Sequence, residues 1–280
     1  MAPSPTPSGA GSGPGAGVVL VTGASAGIGR ATADRLARDG WTVIGASRRG
    51  TGGDGWSGAV MDVDDDASVV DGVAGTVAAH GRLDAVVACA GWGLAGPVER
   101  TPLAEARAQL ETNFFGAVRT VGAALPHLRR APSGRIVLMS SIGGILGIPF
   151  QAFYSASKFA LEGYGEALAY EVAPFGVHVT LVEPGNVRTE FTAARRTVDP
   201  GDDSDPYAAA AAKAITTMER DEEGGVDPDR VAVAVARTLA ARRPPRRLSV
   251  GKLDERVGVA GKRLLPYRLF EAAARGSLGV

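Results

Sequence analysis

The chain has 280 residues, of which 45% are hydrophobic and 21% charged, and its 30 Lys and Arg are matched by 30 Asp and Glu. That length allows one large α/β domain with a sizeable core or two smaller ones, and the even charge balance leaves no electrostatic footprint for nucleic acid. Cys89 is the only cysteine, which excludes an intramolecular disulfide framework, and His80, His127 and His178 lack the spacing of metal ligands. A reducing, cytoplasmic setting and no bound metal are expected.

Residues 1–16, MAPSPTPSGAGSGPGA, carry Pro, Gly and Ser punctuation without an apolar run or a basic start. They read as a disordered tail rather than a signal peptide. No stretch approaches the roughly 20 consecutive apolar residues of a transmembrane helix. From residue 17 to 280 the chain reads as a single domain in which β-branched runs alternate with helical patterns. Strands are expected near 17–22, 41–47, 58–63, 84–89, 135–140, 177–183 and 246–250, and helices near 27–39, 66–79, 103–130, 152–173, 206–220 and 228–242. Most of the strands are apolar throughout, as strands covered on both faces should be. The pattern predicts a Rossmann-type doubly wound, three-layer α/β fold with a seven-stranded parallel sheet.

The first strand runs straight into Gly23-Ala24-Ser25-Ala26-Gly27-Ile28-Gly29 and then a helix. Glycines at such a turn let the backbone approach a pyrophosphate, and the helix N-terminus offers unpaired N–H groups. Arg30-Ala31 follows Gly29, where a triphosphate-binding loop requires a lysine, so a dinucleotide is favoured over ATP. At the end of the second strand an acidic residue would suit a free ribose 2′-hydroxyl. Here the chain has Ser47-Arg48-Arg49, and a guanidinium at Arg48 suits a 2′-phosphate through charge-assisted bonds. NADPH or NADP+ is therefore expected over NADH.

Tyr154 and Lys158 stand four residues apart in Phe153-Tyr154-Ser155-Ala156-Ser157-Lys158, on one helix face. A phenol with an ordinary pKa of about 10 becomes a competent acid or base at neutral pH when a nearby cation stabilises its anion. Ser141, upstream, offers a hydroxyl to hold a substrate oxygen. Trp92, Phe150 and Phe153 are candidates for lining a substrate pocket, and the segment 190–226 reads as a lid over it or as an acidic surface loop. The helix following Tyr154 is apolar and small-residue-rich on all sides, which suggests a subunit interface in a homodimer or homotetramer. The extension 251–280 places Arg and Lys beside LLPYRLF and is expected to cover the pocket or a partner subunit, with a membrane-surface contact as the alternative.

Thr22 to Gly29, with Ser141, Tyr154 and Lys158 at their intervals, make residues 17 to about 250 resemble the short-chain dehydrogenase/reductase family. Asp62-Val63, Thr112-Asn113 and Pro184-Gly185-Asn186-Val187-Arg188-Thr189 match further family motifs. The run from SIGG to GEAL, with AGWGLAGPVE upstream and RLLPYRLFE downstream, is similar to the hydroxysteroid and retinol dehydrogenase branch, which implies an apolar, bulky substrate. The resemblance implies that Asn113, Ser141, Tyr154 and Lys158 are catalytic, with Asn113 positioning a proton-relaying water. It further implies cofactor contacts from Gly23, Ser25, Gly27, Ile28 and Gly29, from Asp62, Val63, Ala90 and Gly91, and from Pro184, Gly185, Val187 and Thr189. The implied reaction interconverts a small-molecule carbonyl and alcohol by hydride transfer. A non-catalytic NADPH-binding protein of the same fold is the alternative. One departure stands out: Ala88-Cys89 replaces the family's usual Asn-Asn before Ala90-Gly91. Cys89 reads as a packing residue and not a nucleophile, and the loss of two bracing amides puts local rigidity in question.

Overall fold

The computed structural model describes residues 17–199, 204–264, 266, 268, 269 and 271, so the expected tail at 1–16 lies outside the described residues. Strands β1 (Val18–Thr22), β2 (Thr42–Ser47), β3 (Ser57–Val60), β4 (Ala85–Ala88), β6 (Arg135–Met139), β7 (His178–Pro184) and β9 (Arg247–Val250) form one sheet in the order β3-β2-β1-β4-β6-β7-β9. Every pairing in it is parallel. A separate two-stranded pairing joins β5 (Leu94–Ala95) to β8 (Arg196–Thr197).

Apolar side chains alternate to the two faces of these strands, and each face is covered by helices. On one face α2 (Asp66–His80), α4 (Gly116–Leu128) and α5 (Ala152–Val172) bury Val69, Val73, Val121, Leu128, Leu161 and Leu168 against Leu20, Val86, Ile136 and Leu138. On the other, α1 (Gly27–Arg38) and α7 (Pro228–Ala240) bury Leu36, Val231, Val235 and Leu239 against Val19, Val87, Val137 and Val182. The expected three-layer, seven-stranded fold is therefore the observed one. The chain reverses direction across the sheet between β1 and β4, and a crevice opens there beyond the carboxyl ends of the strands, where ligands bind in sheets of this type.

The helix expected at 103–130 is not continuous: α3 (Leu103–Leu110) passes through a π-helical turn, Glu111–Phe115, into α4. The wide turn takes in an extra residue and changes the helix register at Asn113, as such turns often do at functional sites. Two further helices are found among the described residues. The first, α6 (Ala208–Glu223), lies inside the expected lid, and α8 (Leu253–Leu264) lies in the C-terminal extension.

Candidate active site

The crevice contains a cavity of about 910 Å³. One end of it is built by the turn between β1 and α1. Gly23 and Gly27 adopt φ values of 69° and 52°, which side-chain-bearing residues rarely tolerate, and a Cβ on Gly29 would collide with the Gly23 carbonyl. The residue before α1, Ala26, supplies no side-chain cap. The exposed Gly27 N–H instead donates to the carboxylate of Glu190, 3.1 Å away. A carboxylate thus already occupies the place where the turn and the helix dipole favour an anion. Ser25, Ile28, Arg48, Asp62 and Val63 line the same end, whereas Arg49 does not.

The far end gathers residues from three elements. Ser141 closes β6 into a 3-10 turn, and its hydroxyl accepts a bond from the Gly143 N–H at 3.0 Å. Tyr154 and Lys158 project from the first turns of α5, both buried. The Lys158 ammonium donates to the Met139 carbonyl at 2.8 Å. Ala90, Gly91, Pro184, Gly185, Val187 and Thr189 line the wall between the two ends. Asn113 lies behind that wall, 1% exposed, and is not a lining residue. Its amide accepts from the Trp92 N–H at 3.0 Å and donates to the Trp92 carbonyl and to Ser157 at 3.1 and 3.2 Å.

Burial sets the acid–base character of the pair. The Tyr154 phenol is pushed up to about 12, chiefly by desolvation; a bond from Ser141 and the charge of Arg195 pull it down, and Glu222 pushes it up. The Lys158 ammonium is brought down to about 8 by desolvation, with Cys89 and Glu162 acting in the other direction. Lys158 lies 5.8 Å from the centre of the Tyr154 ring, and the charges that bear on the phenol here are those of Glu222 and Arg195, in opposite directions. Cys89 has its thiol pushed up to about 12 by burial, which suits packing and not nucleophilic attack.

Two of the aromatic residues expected in the pocket are not there. Trp92 lines the cavity, fixed through its indole N–H to Thr112 at 3.1 Å and covered by the Arg196 guanidinium at 4.3 Å. Phe150 and Phe153 do not. Phe153 is one residue, about 100° of helix rotation, away from the Tyr154 face. Phe150 sits in the turn before α5 at φ 58°, where its carbonyl accepts from the Gly96 N–H at 2.8 Å. Leu146, Ile148, Phe191 and Met218 supply the apolar wall instead. Phe191 packs edge-on against Tyr154, with ring centres 5.9 Å apart.

A family model described as short chain dehydrogenase matches residues 17–199. The chain belongs to the short-chain dehydrogenase/reductase family. It is 39% identical over 257 residues to a 3-ketodihydrosphingosine reductase of Bacteroides thetaiotaomicron, a match covering 91% of this chain and 96% of that one. It is 36% identical over 256 residues to human retinol dehydrogenase 8, covering 81% and 79% of the two chains. A solved short-chain dehydrogenase from Streptomyces avermitilis superposes with a TM-score of 0.80 at 35% identity, over 92% of this chain and 97% of that one. The protein is thus an oxidoreductase of the hydroxysteroid and retinol dehydrogenase-like branch.

At the departure, Ala88-Cys89, the backbone is held by a side chain of β1. The Thr22 hydroxyl accepts from both the Cys89 and the Ala90 N–H, at 3.0 and 3.1 Å, and ties the end of β4 to β1. Other site residues left no periodic or motif signal in the sequence. Arg195 and Glu222 form a buried ion pair between the segment after Thr189 and α6, and Thr192 donates to the same carboxylate at 2.6 Å. Nε and Nη1 of Arg195 are buried without a hydrogen-bond partner. Glu190, Phe191 and Ala194 line the cavity together with Thr217, Met218, Asp221 and Glu222 of α6. Asp254, Val257 and Gly258 of α8 line it as well. The Glu255 carboxylate accepts from the Asn186 and Lys252 N–H groups at 2.9 and 2.7 Å and packs on Gly185.

The glycine turn, the lining Arg48 and the anion-holding Gly27 N–H suit a nicotinamide dinucleotide. Removing the competing carboxylate by Glu190→Ala should tighten dinucleotide binding about tenfold, the worth of one charge-assisted bond. Fluorescence titration of the reduced dinucleotide checks this, and unchanged or weaker binding contradicts it. Lys158 gives a pH prediction. The folded state holds its proton less firmly than the ordinary lysine value of 10.5, so between about 8 and that value the unfolded chain binds more protons and stability rises with pH. Urea midpoints at the two ends of that window should rise for the native protein relative to Lys158→Met.

Proposed function

We propose that the protein is an NADPH-dependent carbonyl reductase, running in reverse as an alcohol dehydrogenase, that acts on an elongated apolar substrate. The observation that carries this reading is a single cavity with a glycine turn and Arg48 at one end and Ser141, Tyr154 and Lys158 at the other. When bound, the nicotinamide supplies the hydride.

The chain's own residues handle the proton and the substrate oxygen. A phenol pushed up to about 12 stays protonated across the physiological range, so Tyr154 is a ready donor to an oxygen placed against it. Ser141, oriented by the Gly143 N–H, holds that same oxygen. Lys158, with its ammonium at about 8, keeps its proton at neutral pH and is the adjacent source from which the phenol is recharged. Asn113 positions this group by bonding Ser157 on α5 and both backbone groups of Trp92; the relaying water implied by the family belongs at its turn. Thr189, Val187 and the Pro184-Gly185 backbone are assigned to the nicotinamide end, and Asp62 and Val63 to the adenine.

Trp92, Leu146, Ile148, Phe191 and Met218 make the substrate wall largely apolar. The names of two relatives, a ketodihydrosphingosine reductase and a retinol dehydrogenase, support a lipid-like substrate. Exposed Phe115, Phe159 and Tyr170 beside and along α5 support self-association. An intact proton path has no use in a pure binder, so turnover is favoured over a non-catalytic role.

Tyr154→Phe should lower kcat by at least about a hundredfold while leaving dinucleotide binding nearly intact. The assay is loss of nicotinamide absorbance with long-chain ketones, and an active Phe variant overturns the mechanism. Tight dinucleotide binding by the native protein without turnover on any carbonyl would favour the binder. Arg48→Asp should shift the ratio of kcat/KM for NADPH over NADH toward NADH by about tenfold to a hundredfold; an unchanged ratio removes Arg48 from the cofactor site.

A further inference from the structure

Gln151 stands at the entrance of α5, three residues before Tyr154, and lines the cavity although it is only 4% exposed. Its side chain does not cap the helix that it precedes, and its amide has no hydrogen-bond partner among the described residues. An amide that has given up water without gaining a partner is costly to keep. Ser47, Ser141 and Lys158, buried on the same cavity, each have one: Ser47 accepts from the Gly50 N–H at 3.1 Å, Ser141 from the Gly143 N–H at 3.0 Å, and Lys158 donates to the Met139 carbonyl at 2.8 Å. Gln109, buried away from the cavity, donates to the Trp92 carbonyl at 2.7 Å.

The backbone around Gln151 is held while its side chain is left free. Its N–H donates to the Ile148 carbonyl at 3.1 Å, its carbonyl accepts from the Ser155 N–H at 2.8 Å, and the Ser155 hydroxyl accepts from the Ile148 N–H at 3.1 Å. Phe150, immediately before it, is the one non-glycine among the described residues at positive φ, 58°. A residue in that region is strained, and such strain is kept where it serves a functional group. With the chain turned this way, Phe150 stays off the cavity and Gln151 lines it. The amide interrupts the apolar wall of Leu146, Ile148 and Pro149, about one helical turn from the proton donor. Being uncharged, and both a donor and an acceptor, it suits a hydroxyl better than an ion.

We propose that Gln151 is a specificity-determining residue whose amide hydrogen-bonds a hydroxyl carried close to the reacting carbonyl, so that the preferred substrates are long-chain hydroxy ketones and not plain ketones. The assignment rests on the carbonyl reduction proposed above. A ketone without the hydroxyl leaves the amide buried and unpaired, and a pocket built in this way rejects it.

A matched pair of substrates tests it: a long-chain β-hydroxy ketone and the plain ketone of the same length. The native protein should prefer the hydroxy ketone about tenfold in kcat/KM, and Gln151→Met should bring that preference to about one, mainly by raising KM for the hydroxy ketone. A structural role alone would lower both substrates alike and leave the ratio where it was. A native protein without the preference, or a Met variant that keeps it, overturns the proposal. Binding gives the same comparison without turnover. In the presence of the oxidised dinucleotide, thermal-shift titration of the native chain should show a long-chain 1,3-diol binding about tenfold more tightly than the corresponding mono-alcohol. Equal binding of the two by the native chain overturns the proposal even where the Met variant does not fold. A diol preference without turnover of either ketone would instead strike the proposed reaction and leave Gln151 its role in binding.

Discussion

A buried ammonium bonded to the last carbonyl of a strand sets the geometry of this site. Lys158 donates to Met139 at the end of β6, and an amine stripped of water in this way has few other partners and little room to move. The bond fixes the rotation of α5 about its own axis. Tyr154, one turn earlier, is thereby brought against Ser141; Ser157 is brought to Asn113, and Ser155 to the N–H of Ile148. The first turns of α5 are held to the strand end, the π-turn and the loop before the helix, so that the reacting groups sit on secondary structure.

The contrast between the two halves of the cavity comes from how each is made. The half formed by strand ends is backbone-rich and depends on glycines and short hydroxyl side chains, such as Thr22, which accepts from two backbone N–H groups after β4. The half formed by the segment after Thr189, α6 and α8 is made of side chains, and its cohesion is electrostatic: Arg195 with Glu222, Thr192 with Glu222, and Glu255 with the backbone of residue 186. Such a wall can change its shape without disturbing the sheet, while its charges act on the phenol it covers.

That division also explains what could be read from the sequence. The parallel seven-stranded sheet and the glycine turn were legible because β-branched runs and glycines at strand ends reflect local geometry. Tyr154, Lys158, Ser141 and Arg48 were legible because fixed spacing relative to those elements determines where they point. Phe150 and Phe153 misled because hydrophobicity and proximity to Tyr154 do not determine rotation about α5 or the direction of a loop. The Arg195 and Glu222 pair, 27 positions apart, has no periodicity, and only the folded chain brings it to Tyr154. The interruption of the central helix at Glu111–Phe115 was likewise silent, since its residues suit an ordinary α-helix.

Glu190 adds something that neither half of the cavity provides alone. It directly follows Thr189, assigned to the nicotinamide end, yet its carboxylate reaches back to Gly27 at the diphosphate turn, and five residues later the same stretch of chain contributes Arg195 to the wall over Tyr154. One short strap therefore bears on both ends of the cavity, through Glu190 at the glycine turn and Arg195 beside the phenol. The Gly27 N–H is already taken by the carboxylate, so any anion seated at that turn competes with Glu190 for it. The two ends of the chamber are thus tethered to each other by six residues of one segment, and neither can be rebuilt without regard to the other.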